Sequence, residues 1–225
     1  MWDGERVVDT GFRAARHGYR FANRFAWPVR RRSGLRALRA GLRLFGLQSA
    51  ALGLCGGMCY AALDDYCAGR TPSDAPAPPP PNTPLYRHLL RRQIDSLAGL
   101  RVPLRVLAAM WRGDGRLQAM AIDEFARLSI LLEQGTPTPL VLIRARRVSD
   151  PTANHQVLAV GYRWEPATLR ATIALYDPNH PLEEPELTFT VAPGGRIAGL
   201  AQSTGEPLRG FFVAPYRSGP SHSSR

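Results

Sequence analysis

The period of the apolar positions changes midway along this chain. In the first part they recur every three or four residues. Leu35, Leu38, Leu42 and Phe45 share one helical face, while Arg36, Arg39 and Arg43 fall largely elsewhere on the wheel. Two further helical patterns cover about 85–98 (LYRHLLRRQIDSLA) and about 116–134 (RLQAMAIDEFARLSILLEQ), the second closing at Gly135. The stretch MCYAALDDYCAG after Gly56 and Gly57 predicts another helix, stopping at Gly69, where a left-handed cap costs glycine little. Beyond Gly135 the pattern shortens. PLVLIRAR, HQVLAVGYRW, RATIALYD, ELTFTVA and RGFFVAPY are β-branched or aromatic runs divided by Pro, Gly and Asn, and they predict strands. Helices first and strands second predict an α+β fold, a helical lobe packed on a mostly antiparallel sheet.

The same pass divides the chain. Residues 1–43 form a basic, helical N-terminal arm whose Phe12, Tyr19, Phe21, Phe25 and Trp27 argue for a folded segment. Residues 44–217 make the main domain, with a helical part over 44–135 and a sheet part over 136–217. Within the helical part, residues 70–84 (RTPSDAPAPPPPNTP) are a stiff proline-rich loop, and 218–225 are a small, polar, disordered tail. Leu44 to Leu63 carries no charge, yet its glycines, Gln48 and Ser49 favour a buried central helix over a membrane span.

Charge and cysteine count narrow the setting. The net charge is +11 and every basic side chain other than histidine is arginine; eleven of the arginines lie in the first 43 residues, against Asp3, Glu5 and Asp9. Such an arm suits an anionic partner, although a solvated basic face has the same composition. Cys55, Cys59 and Cys67 are the only cysteines, an odd and closely spaced set that argues against a disulfide framework and for a cytoplasmic protein. Their spacing, with no histidine nearby, does not suit a zinc site, and no cofactor motif or metal-binding cluster is apparent.

Three residues have the local context that thiol chemistry needs. Cys55 lies close to a helix start, whose positive end favours a thiolate, and Gly56 and Gly57 leave backbone N–H groups for an oxyanion. His155 opens a strand after a polar turn, where its ring can sit at the sheet edge and act as the base. Asp177 closes a strand in the sequence YDPN. If 155–164 and 170–177 form a hairpin turning near 165–169, His155 and Asp177 meet at one end of it, with Asp177 orienting the imidazole. Cys59 is the rival nucleophile, but it lies inside the helix, where a thiol acts as a small apolar group; Cys67, near the helix end, reads as packing or surface. His180, after Asp177-Pro178-Asn179, is an alternative base, although a histidine in a turn is more often exposed, and His88 reads as part of a solvated helix face with Arg91 and Arg92.

The order Cys-Gly at a helix start, Gly135-x-Pro137 before a strand, then NHxVLAVGY and a strand ending in YDP resembles the papain-like C39 peptidase group over roughly residues 45–180. The resemblance implies a papain-like fold with the Cys helix packed on the sheet, and a triad of Cys55, His155 and Asp177. It also implies an oxyanion-hole glutamine, for which Gln48, seven residues before Cys55 instead of six, is the nearest match, together with Gly56. The expected function is a thiol-dependent peptidase or amidase taking a peptide, amide or ester in a cleft and working through an acyl-enzyme. The alternatives are an acyltransferase on the same triad and a catalytically inactive papain-like binding domain.

Overall fold

The computed structural model describes residues 4–25, 53–146 and 153–219. Twelve elements follow one another along these residues: β1 (Arg6–Asp9), α1 (Ala14–His17), α2 (Cys55–Cys67), α3 (Pro84–Ser96), α4 (Arg101–Met110) and α5 (Asp114–Glu133), then β2 (Thr138–Ile143), β3 (His155–Glu165), β4 (Arg170–Tyr176), β5 (Glu186–Ala192), β6 (Arg196–Gln202) and β7 (Gly210–Val213). The fold is α+β, and every strand pairing is antiparallel.

The sheet runs β6-β5-β4-β3-β2-β7, with β1 also paired to β3. One edge of β3 is shared: its first half pairs with β2, Leu142 opposite His155, and its second half pairs with β1, Asp9 opposite Gly161. The handover falls at Val160, the extra residue of a bulge against β4, and its carbonyl accepts from both the backbone N–H and the hydroxyl of Thr10. A second bulge, between β5 and β6, requires Gly199, whose φ of +61° is left-handed.

The sheet curls around α5, which touches both β6 and β7. Leu117, Ala121, Phe125, Leu128 and Leu132 give that helix its buried stripe, and Phe125 meets Tyr162 and Phe189 edge-on at 5.6 and 5.1 Å. On the opposite face lies α2, buried continuously from Gly56 to Asp64; it takes up Cys55–Leu63 of the uncharged stretch expected as a buried central helix, and residues 44–52 of that stretch lie outside the described residues. It packs on Leu158, Val160 and Tyr176 and on an aromatic group from the N-terminal arm, Phe12, Tyr19, Phe21 and Phe25. Residues 4–25 of the arm are thus a strand, one short helix and part of the core. The amphipathic stretch Leu35–Phe45 lies outside the described residues, as do residues 220–225 of the tail expected over 218–225; Gly219 of that tail is held instead, its N–H donating to Asp64 at 3.0 Å.

Local chemistry explains the helix ends. Thr83 caps α3 by accepting from the Tyr86 N–H at 3.3 Å, with Pro84 in the first turn, where its missing N–H costs nothing. Gly69 and Gly135 follow α2 and α5 with φ of +64° and +78°. A C-terminal strap then closes over α2 and α3. The Tyr60 hydroxyl donates to the Pro215 carbonyl, Arg92 to the Arg217 carbonyl, and Asp64 accepts from both the Tyr216 hydroxyl and the Gly219 N–H. Arg92 and Asp64, with side chains only 3% and 8% exposed, pair at 2.8 Å beneath it. Among the described residues no helix is long and apolar enough to cross a membrane.

Candidate active site

Cys55 is the first residue of α2, one position behind its cap Leu54, so the helix starts two residues earlier than Gly57. Its side chain is half-buried, Cys59 is buried one turn further on, and Cys67 is exposed; all three are free thiols. The two glycines after Cys55 are there for packing. A Cβ on Gly57 would sit 2.2 Å from the Leu89 carbonyl of α3, and one on Gly56 would meet the Gln156 Oε1 at 2.2 Å and the Ser96 Oγ at 2.3 Å. The Gly57 N–H, expected from the sequence to be open for an oxyanion, instead donates to Gln93 Oε1 at 2.9 Å. The Gly56 N–H is directed at the Cys55 sulfur, and Gln48 lies outside the described residues.

His155 is the first residue of β3. It is not at the sheet edge, since β3 lies between β2 and β4, but at the end of a central strand, and its ring is buried. Asn154 fixes the turn that delivers it: its Oδ1 accepts from the Arg144 and Ala145 N–H groups at 3.0 and 3.3 Å, and its Nδ2 donates to the Met110 Sδ at 3.4 Å. Asp177 follows β4 directly and is fully buried. The hairpin closes with Glu165 opposite Arg170, so His155 and Asp177 come to the same end, as the strand arithmetic required.

His155 Nε2 lies 2.6 Å from Asp177 Oδ1. Burial alone disfavours a charged Asp177, yet the bond and charge of His155, the Asn179 N–H at 2.8 Å and the Gln202 Nε2 at 3.0 Å outweigh it and hold the carboxyl below its ordinary range. An ionised carboxylate accepts only, so Nε2 donates and Nδ1 is left to meet the Cys55 thiol, with which His155 also hydrogen-bonds. For His155 too, burial opposes the charge, but Asp177 and Cys55 push it up to about 9. Burial likewise raises the Cys55 thiol, and His155 with the Gln156 and Gly56 N–H groups brings it below its ordinary value. Cys59 goes the other way, well above, through burial and the neighbouring Cys55 and Asp177; its thiol donates to the Gln156 carbonyl at 3.5 Å.

Behind the three lies a polar chain that sequence reading missed. Gln202, at the end of β6, donates to Asp177 Oδ2 and accepts from Arg144 Nη2 at 2.7 Å. Arg144 lies 3.8 Å from Glu206, which meets His180 at 3.1 Å, so His180 is not the free turn residue expected. No run of alternating residues marked β6, because Gly199 interrupts it, and Gln202 is brought to Asp177 only by the pairing of β4, β5 and β6. The arrangement supplies a thiol held below its ordinary value, an imidazole beside it and a carboxylate that fixes the ring. The chain matches no family model, and comparisons with curated proteins and with solved structures find no match.

Proposed function

We propose that this chain is a papain-like cysteine hydrolase domain, resembling the C39-like peptidases, with Cys55 as nucleophile, His155 as general base and acid, and Asp177 as the residue that orients the imidazole. The observation that supports it is the hydrogen-bonded order thiol, imidazole, carboxylate at a helix N-terminus, with the thiol below and the imidazole above their ordinary values. The Cys55 thiolate attacks the carbonyl carbon of an amide or ester. The tetrahedral adduct collapses as the His155 imidazolium gives its Nδ1 proton to the leaving amine or alcohol. His155, now neutral, takes a proton from water as the water oxygen attacks the thioester, and collapse of the adduct releases the carboxylic acid and restores the Cys55 thiolate beside the His155 imidazolium. A cytoplasmic setting belongs to the same proposal, because the nucleophile must stay reduced.

Limiting iodoacetamide between about pH 5 and 9 tests it. Cys55 should label selectively, well below the ordinary thiol range, and lose that advantage in His155→Ala. Incubation with an activated ester should leave an acyl group on Cys55, detected by mass, that decays with water and is absent in Cys55→Ala. Equal, sluggish labelling of Cys55, Cys59 and Cys67 sinks the proposal.

A further inference from the structure

Helix α4 has two apolar faces, and only one is used by the core. Val102, Ala109 and Met110 are buried against β2, β7 and neighbouring elements. Leu100, Leu104, Leu107 and Trp111 follow one another at spacings of four, three and four, which places them within about 60° of arc on a helical wheel. Leu100 and Trp111 flank the helix with helical backbone angles and so continue its screw. That second face looks outward: Leu100 is 64% exposed, Leu104 56% and Trp111 77%. Ile94, near the end of α3, is 48% exposed and belongs to the same stretch of chain.

The charge beside this stripe has one sign. Arg101, Arg105 and Arg112 lie along one flank of the same wheel. Arg105 is committed to Glu124, and among the described residues no carboxylate pairs with Arg101 or Arg112. The nearest acids along the chain, Asp95 and Asp114, are already paired, Asp95 with Arg92 and Asp114 with Arg146 and Arg209. The stripe exposes roughly 400 Å² of side chain, about half of the ~800 Å² per partner that a standard protein interface needs, but enough for a shallow seat at a lipid surface.

We infer that α4 is an interfacial helix that lies on an anionic bilayer, Leu100, Leu104 and Trp111 entering the headgroup boundary and Arg101 and Arg112 meeting lipid phosphates and carboxylates. The inference is independent of any reaction at Cys55. It has a consequence for that site nonetheless, because Met110 accepts from Asn154, the residue before His155, and the α3 end that precedes α4 lies against Gly56 through Ser96. A seated α4 therefore holds the thiol site close to the membrane surface.

Co-sedimentation of the full chain with vesicles tests it. The protein should pellet with phosphatidylcholine and phosphatidylserine mixed at roughly 7:3, release as salt rises, and stay in solution with phosphatidylcholine alone. Each of Arg101→Gln and Arg112→Gln should lower partitioning about fivefold, the ~1 kcal/mol of one arginine near an anionic surface. Leu104→Gln with Trp111→Gln changes only exposed positions and should abolish pelleting while the thermal melt is unchanged. Pelleting that survives the double variant overturns the inference and moves the contact to another basic segment. Failure to pellet with phosphatidylserine overturns it as well, and so does self-association in sedimentation velocity that the double variant removes, which assigns the face to a second copy of the chain.

Discussion

Replacing Gly57 by alanine tests how closely α2 and α3 must approach. The added Cβ would lie 2.2 Å from the Leu89 carbonyl oxygen and 3.1 Å from the Gln93 nitrogen, both backbone atoms that cannot swing away. A carbon–oxygen contact needs about 3.3 Å, so the helices must separate by about 1 Å. That places the cost near the top of the overpacking range, about 3 kcal/mol, and the hydrogen bond from the Gly57 N–H to Gln93 is stretched with it. For a chain of this length each kcal/mol moves the melting temperature by about 2–4 °C, so Gly57→Ala should melt about 6–12 °C lower. The control is Gly115→Ala, at the second position of α5. Its Cβ would meet no atom within 4 Å, and the change should raise the melt by about 1–4 °C through the helix preference of alanine. Differential scanning calorimetry of the two variants against wild type reads both shifts. A Gly57→Ala protein that melts within about 2 °C of wild type refutes the close-approach reasoning.

The pH dependence of stability has a definite sign. His155 is raised to about 9, so its charged form adds stability that is complete below the ordinary imidazole value of about 6.5 and lost as pH rises through about 9. The gap in melting temperature between wild type and Asp177→Asn should be widest near pH 6 and narrow by pH 10; a constant gap contradicts the pairing. Gln202→Leu leaves Asp177 Oδ2 and Arg144 Nη2 without their common partner and should cost about 2–4 kcal/mol in urea unfolding, with slower labelling of Cys55; a loss under about 0.5 kcal/mol removes Gln202 from the network. Arg92→Met leaves Asp64 buried without its cation and should cost about 3–5 kcal/mol while exposing residues 215–219 to protease; unchanged digestion there argues that the strap is held by other contacts.

The sequence made the triad accessible because each member sits at an element boundary that local chemistry marks. Asp177 precedes a proline that ends a strand, His155 begins a strand-like run, and the four residues between Glu165 and Arg170 set the register that joins them. The Cys-Gly-Gly run marked the start of α2, but not why the glycines are needed: Leu89 and Ser96 approach them from α3 and Gln156 from β3, contacts between segments far apart in the chain. Helix α4 escaped notice because Pro103 reads as a breaker, although in the first turn it removes no hydrogen bond. Strand β1 was hidden in the charged arm. Its four residues show no alternation of their own, since three are exposed and pairing with β3 supplies the order.

The strap of residues 215–219 reaches Tyr60, Asp64 and Arg92, more than a hundred residues upstream. During synthesis, α2 and α3 leave the ribosome long before Tyr216 or Gly219 exists to bind them. Until then Asp64 has only Arg92, which also holds Asp95, and the helix that begins with Cys55 lacks its final clasp. The same holds for β3 and Asp177, which must be made before His155 can bind its carboxylate. The thiol therefore stays at its ordinary acidity on the nascent chain, and becomes more acidic only after His155 and Asp177 have been made and paired.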